Sequence, residues 1–265
     1  MLIDADRITA ALEELGVAPD DTLLVHSGLQ GSGRVAGARS RDKLDTIVGG
    51  LAGAVPNGTL LMPTFTYSFC RHEVFDRDAS PSTVGLLTEH FRRLPGVRRT
   101  AEPIFSCAVL GRVEPAWEEP LFTVGDKDCF GPESVFAYLL SRAGRVLFYD
   151  VGFAFCTFVH HVEQLLGADY RYRQRFTGTV RDGAREQPAA VDYLVRKLDE
   201  EVLPHFEPLE AVLLAAGGAR RTTIPGGPTL LVADCRAILE QAVPALAGNP
   251  DYLLRRGHAA VGAAA

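Results

Sequence analysis

Short apolar runs alternate with amphipathic stretches from one end of the chain to the other, and this confines the fold to the α/β class. Asp21 to His26 (DTLLVH), Gly58 to Pro63 (GTLLMP), Ile104 to Gly111 (IFSCAVLG) and Arg145 to Val151 (RVLFYDV) read as strands. The segments between them have helical spacing. Asp4 can cap the first helix, which carries Ile8, Leu12 and Leu15 on one face and stops at Gly16. Ser40 opens a second helix with Leu44, Ile47, Val48 and Leu51 at core spacing. Ser80-Pro81-Ser82 is a helix start whose buried stripe would be Leu86, Leu87 and Phe91. Gly131 to Ser134 starts another that reaches about Ser141, and Val113 to Lys127, with the only tryptophan, Trp117, reads as irregular.

The second half continues the pattern. A helix is expected up to Leu166 with Gly167 as its stop. Tyr170 to Arg181 alternates like a strand with one wet face, Asp182-Gly183 is a turn, and Ala189 to Leu194 is a second strand. A helical region carrying Leu194, Leu198 and Val202 follows, broken by Pro204 and Pro208 before a helix from Leu209 to Ala216. Two short strands (RRTTI and PTLLV) and a helix from about Asp234 to Leu246 complete the order. No repeat or linker divides the chain. Residues 1–265 are expected to form a single three-layer α/β/α domain with a mixed central sheet, 260–265 being a frayed tail.

Composition narrows the function. A net charge of −6 argues against nucleic acid as a partner. No apolar run approaches the length of a membrane span, and the N-terminus lacks the apolar core of a secretory leader. Five scattered cysteines without a CxxC read as reduced thiols in a cytoplasm.

The chemistry is expected in Cys156 to Glu163, after the Arg145 strand. On a helix His160 and Glu163 share a face, and His161 points elsewhere. A carboxylate beside an imidazole favours its charged form and fixes its tautomer, leaving the second ring nitrogen to act as a base. A surface ion pair, a buried histidine with a satisfied ring, or half a metal site would use the same residues. A metal hydrolase built on His160, His161 and Glu163 is disfavoured, because adjacent helical positions diverge by about 100°. Cys156 sits in an apolar run, where a thiol is inert. The loop from Ser27 to Gly37, between a strand and a helix, has the grammar of an anion or cofactor cradle but matches neither GxGxxG nor GxxxxGK[ST]. Thr64 to Phe69 is a polar-aromatic run at a strand's end, where α/β sheets place their sites. Arg92, Arg93, Arg98 and Arg99 are either a solvated helix end or a phosphate contact.

Taken in order, these pieces resemble the aminoglycoside 3-N-acetyltransferase family. Val25-His26-Ser27-Gly28 followed by Gly33 and Gly37 is similar to its VHSS and spaced glycines. Gly58 to Thr66 matches its GTLxMPTFT element. Ser80, Pro81, Gly85, Glu89, Phe91, Arg92, Pro95 and Gly96 follow its helix pattern, and His160 and Glu163 fall on its His-x-x-Glu element. The resemblance implies an enzyme that uses acetyl-coenzyme A to acylate a small-molecule amine, with His160 as general base and Glu163 orienting it. The donor would be held by His26, Ser27, Gly28, Leu29, Gly33, Arg34, Val35, Thr64, Phe65, Thr66 and Ser106. The acceptor would meet Tyr67, Asp76, Glu102 and Asp169, with Asp126, Asp128 and Glu133 as further carboxylates for a cation. No metal is expected, and the assembly would be a monomer or homodimer. Three departures stand out: Glu102 where the family's RSxHP has histidine, Gly28 for the second serine of HSS, and Ala38 for a glycine. They leave two rivals to a resistance-type enzyme: a biosynthetic acyltransferase with another donor or acceptor, and a catalytically altered relative that binds coenzyme A or a metabolite.

Overall fold

The computed structural model describes residues 2–197 and 202–256. Its strands in chain order are β1 (Thr22–Ser27), β2 (Thr59–Pro63), β3 (Phe75–Asp76), β4 (Arg98–Arg99), β5 (Cys107–Gly111), β6 (Lys127–Asp128) and β7 (Arg145–Tyr149). Then follow β8 (Arg171–Asp182), β9 (Arg185–Arg196), β10 (Val202–Pro204), β11 (Ala219–Thr223), β12 (Thr229–Asp234) and β13 (Leu254–Arg256). The helices are α1 (Ala5–Glu14), α2 (Ser40–Ala54), α3 (Leu86–Phe91), α4 (Pro115–Phe122), α5 (Val135–Ser141), α6 (Phe158–Leu166), α7 (Glu207–Ala216) and α8 (Cys235–Gly248).

Seven strands form the central sheet in the order β11-β12-β7-β1-β2-β5-β4. The middle three, β7, β1 and β2, are parallel, and the flanking strands join antiparallel, so the sheet is mixed as expected. Strand side chains alternate between its two faces. Leu23, Val25, Leu60 and Met62 pack with Ile8 and Leu12 of α1 and Ile47 and Leu51 of α2. Leu24, Leu61, Val146 and Phe148 pack on the other side with Phe136 of α5, Val159 of α6, Leu213 of α7 and Ile238 of α8. The chain after β1 enters α2 on one face, whereas the chain after β7 enters α6 on the other. The carboxyl ends of β1 and β7 thus frame a crevice of the kind that holds ligands in α/β sheets.

Several elements differ from the expectations. Val113 to Lys127 contains α4, begun by Pro115 at its first turn; its eight residues and internal Pro120 leave no readable period. The third helix starts at Leu86, not Ser80, and Leu86 itself is exposed. Ser82 is lashed to that helix from outside: its N–H donates to Glu89 and its hydroxyl meets Thr88. The Ile104 strand begins only at Cys107, and the Arg145 strand ends at Tyr149. The helix expected to carry Leu194, Leu198 and Val202 is absent where the chain is described: Leu194 lies in β9, Val202 in β10, and Leu198 lies outside the described residues. β8 and β9 pair along their whole length, and with β3 and β6 they make a separate four-stranded sheet. The expected frayed tail also lies outside the described residues. No described helix is long and apolar enough to cross a membrane.

Candidate active site

A cleft of about 460 Å³ opens at the carboxyl ends of β1, β2 and β7. His26, Ser27 and Gly28 close one side, and Pro63, Phe65 and Tyr67 another. Thr157 and His160 come from the start of α6, while Tyr193 and Phe206 arrive from β9 and the turn before α7. Helix α6 is held where this requires. Phe158, Val159 and Val162 are fully buried, and Gly167 ends the helix in the left-handed conformation.

His160 Nδ1 lies 2.7 Å from Glu163 Oε2. Glu163 is fully buried, and the Tyr170 hydroxyl donates to its other oxygen at 2.7 Å. Arg171 Nε stands 2.6 Å from Oε2. Burial alone would push the Glu163 carboxyl up, but His160, Arg171 and Tyr170 more than reverse that, and the group sits below the usual carboxylate value. Glu163 is therefore ionised and can only accept, so Nδ1 carries the ring proton and Nε2 is the nitrogen left for a substrate. Glu163 favours the charged ring, as expected from the sequence, but other effects outweigh it: burial lowers the His160 pKa most, Glu163 raises it, Arg171 lowers it again, and the net shift is downward from the ordinary histidine value. The imidazole is thereby held toward its neutral form. His161 turns away, its Nδ1–H donating to the Phe130 carbonyl at 2.7 Å, so the two histidines do not converge on one ion.

His26 backs the cleft. Burial, then the neighbouring His160, lower its pKa to about 3, and its Nε2 accepts from the Thr157 N–H at 3.4 Å. The Ser27 hydroxyl is buried with no protein partner among the described residues. The glycine-rich loop is tied down from inside. The Gly28 N–H donates to the Tyr149 carbonyl at 2.8 Å, the Gly31 N–H to the Asp150 carboxylate, and the Ser32 N–H to the Leu29 carbonyl at 3.3 Å. These three donors are spent, so they cannot cradle an anion. Close approach explains Gly28 too: a Cβ there would lie 2.4 Å from the Asp150 carbonyl. Asp150 adopts a positive φ of 54° to serve the loop.

Of the proposed donor contacts, His26, Ser27, Gly28 and Phe65 reach the cleft, whereas Leu29, Gly33, Arg34, Val35, Thr64, Thr66 and Ser106 do not line it. Thr64 and Ser106 serve a buried cation instead: Arg99 Nε donates to their hydroxyls at 3.1 and 3.0 Å, and its Nη1 reaches the Ser80 carbonyl at 2.5 Å. Burial brings the Arg99 pKa down to about 10. Arg99 is thus neither a solvated helix end nor a phosphate contact. Arg92 and Arg93 pair with Glu89, and Arg98 with Glu118.

Among the acceptor candidates only Tyr67 lines the cleft. Asp76 accepts from the N–H groups of Asp78 and Ala79 and pairs with Arg181, and Asp169 is exposed in the turn after α6. Glu102 accepts from the N–H groups of Ile104 and Phe105 at 2.8 and 2.5 Å and from Cys129 Sγ at 3.6 Å. Burial raises its carboxyl to about 7 against the pull of those donors. It anchors the turn that presents Phe105, the residue shared by the cleft and a neighbouring cavity of about 250 Å³. Asp126, Asp128, Glu133 and Asp192 line that second cavity. Three of these four are already paired from β8: Arg173 with Asp128 at 2.8 Å, and Arg175 with Asp126 and Asp192. Sequence reasoning missed Tyr170, Arg171, Tyr193 and Phe206. Tyr170 and Arg171 follow the α6 stop immediately, and that adjacency was their only local signal.

The chain is similar to known proteins in sequence and in fold. The sequence model of the family described as aminoglycoside 3-N-acetyltransferase matches residues 24–247. Aminoglycoside N(3)-acetyltransferase IX of Micromonospora chalcea is 28% identical over 86% of this chain and 88% of its own. Aminoglycoside N(3)-acetyltransferase IV of a Salmonella species is 32% identical over 71% and 67%. The crystal structure of aminoglycoside acetyltransferase AAC(3)-Xa superimposes with a TM-score of 0.77 at 25% identity, covering 95% of this chain and 94% of that one. A mutant of AAC(3)-IVa in complex with apramycin gives 0.73 at 26% identity, covering 95% of each. AAC-IIIb in binary complex with CoASH shares the fold, with a TM-score of 0.76 at 23% identity over 94% of this chain and 97% of its own. With the family's motifs matched in order along most of its length and the same fold around them, the chain belongs to the aminoglycoside 3-N-acetyltransferase family.

Proposed function

We propose that this protein transfers the acetyl group of acetyl-coenzyme A to an amine of an aminoglycoside, an amino sugar or a related natural product, in a cytoplasmic setting. The observation that carries this reading is the neutral His160 imidazole on the cleft, its Nδ1–H held by a buried, ionised Glu163. The apolar wall of Phe65, Val84, Val151 and Phe155 suits an acyl-pantetheine arm. CoASH is the ligand named for one fold relative and apramycin for another.

In the reaction the amine nitrogen attacks the thioester carbonyl while His160 Nε2 takes its proton. The carbonyl oxygen becomes an oxyanion and needs a donor; Ser27 lines the cleft, and its buried hydroxyl, without a partner among the described residues, is the donor we assign, on turning toward the oxygen. Collapse breaks the carbon–sulfur bond, and the imidazolium returns its proton to the leaving thiolate. Glu163 steadies the imidazolium throughout. Cys156 takes no part: burial pushes its thiol up to about 12. Glu102, which stands where the family pattern has histidine, anchors a turn and lines the neighbouring cavity rather than the cleft.

The test is turnover of acetyl-coenzyme A with a panel of aminoglycosides, simple amino sugars and other amines, following thiol release and product mass together. An N-acetylated product that His160→Ala reduces by roughly 10²-fold or more supports the assignment. Thiol release without an acylated amine, or product formation indifferent to His160, refutes it.

A further inference from the structure

Arg171 opens β8, and its guanidinium is almost as buried as the carboxylate it faces. Its Nε lies 2.6 Å from Glu163 Oε2, its Nη2 3.0 Å from His160 Nδ1, and its Nη1 donates to the Leu194 carbonyl of β9 at 3.3 Å. One cation thus touches both members of the pair while being held from the hairpin. A guanidinium stays charged in proteins. Since Nδ1 already gives its proton to Glu163, Arg171 Nη2 has no lone pair to bond there. Its approach to the ring is charge facing ring, and it opposes a second proton on the imidazole.

We propose that Arg171 is a positioning residue for acyl transfer: it holds Glu163 ionised and His160 neutral, so that Nε2 meets the acceptor amine unprotonated. The proposal rests on the assignment of His160 as the base. The surroundings of the ring leave Arg171 as the opponent of Glu163. From β1 comes His26, uncharged at neutral pH. Phe130 and Phe206 present ring edges at 5.5 and 6.0 Å. Tyr170, whose hydroxyl is pushed up by burial and then by Glu163, reaches the ring only through that carboxylate. On α6 itself His161 faces Phe130 and Asp128, not His160.

The experiment follows the His160 ring by NMR titration in the free protein, assigned against His160→Ala, in the wild type and in Arg171→Gln, Arg171→Met and Arg171→Lys. The pH profiles of kcat and kcat/KM are measured in parallel. Loss of the cation should raise the His160 midpoint by about one pH unit, a tenfold change in proton affinity. The acid limb of kcat/KM should rise with it, and kcat should fall at pH 6. Arg171→Lys, which keeps the charge, should hold both near wild type. A purely structural arginine would lower thermal stability in the variants and leave the midpoint alone, and that result overturns the proposal. A midpoint that rises over a fixed acid limb overturns it as well, placing the fault in the base assignment rather than in the coupling. Should both neutral variants fail to fold, Arg171→Lys decides the matter. A midpoint near wild type supports the proposal, and one raised by a unit with the lysine in place refutes it.

Discussion

Replacing Glu163 by glutamine should cost far more stability than an exposed His–Glu pair would suggest. The carboxylate is fully buried: His160 Nδ1 and the Tyr170 hydroxyl donate to it, and the Arg171 guanidinium faces it as an ion pair. An amide oxygen can still serve Tyr170. The amide NH2 then points at His160 and Arg171, donor against donor, and the buried guanidinium loses its counter-charge. Removing one partner of a buried ion pair costs about 3–5 kcal/mol. At roughly 2–4 °C per kcal/mol for a chain near this size, the melting temperature should fall by about 6–20 °C.

The assay is thermal unfolding of the wild type, Glu163→Gln, Arg171→Met and the double variant. The double variant removes both charges, so it should recover most of what Glu163→Gln loses, a coupling of about 2 kcal/mol or more. Activity should not recover, because the ring has lost its acceptor. In Glu163→Gln the acid limb should move to lower pH, since the neighbouring negative charge that raises the His160 pKa is gone. Independent, additive losses in the double variant would refute the account of the pair as one electrostatic unit.

Other predictions follow from single contacts. His161→Ala should leave kcat within a fewfold of wild type and lower stability by about 1–3 kcal/mol, because the Phe130 carbonyl loses its buried donor; unfolding and turnover measured together check this. Gly28→Ser should weaken coenzyme A binding, read by calorimetry, because its Cβ would displace the Asp150 backbone at the cleft mouth. Glu102 has a folded pKa raised from 4.5 to about 7, so it destabilises increasingly as pH rises between those values. Glu102→Gln should therefore gain stability relative to wild type at pH 8 compared with pH 4, by at most about 3 kcal/mol, and melting at the two pH values tests the sign.

Periodic apolar patterns carried most of the architecture. Leu23 to Val25 and Leu60 to Met62 are consecutive apolar runs because parallel central strands are covered on both faces, and such runs are legible one strand at a time. The second sheet was only half legible. Its strands pair over twelve residues through a register no local pattern encodes, and β3 and β6, two residues each, exist only because the hairpin offers them edges. Thr64 and Ser106 misled for a related reason. A hydroxyl at a strand end suits a ligand and a buried arginine equally well, and only the fold brings Arg99 within 3.1 Å of both.

The active site shows where local reading stops. His160 and Glu163 are one helical turn apart, so their meeting is a property of α6 alone and could be read directly. The protonation state of the pair is not. A carboxylate beside an imidazole favours the charged ring, as expected from the sequence, and Glu163 does so here. Burial against Phe130 and Phe206 and the Arg171 cation outweigh it and turn the net shift downward. Both come from other elements, and their positions depend on how β8 leaves Gly167 and how β9 returns. The geometry of the dyad is thus written in four consecutive residues, while its chemistry is set by the packing of two sheets around them.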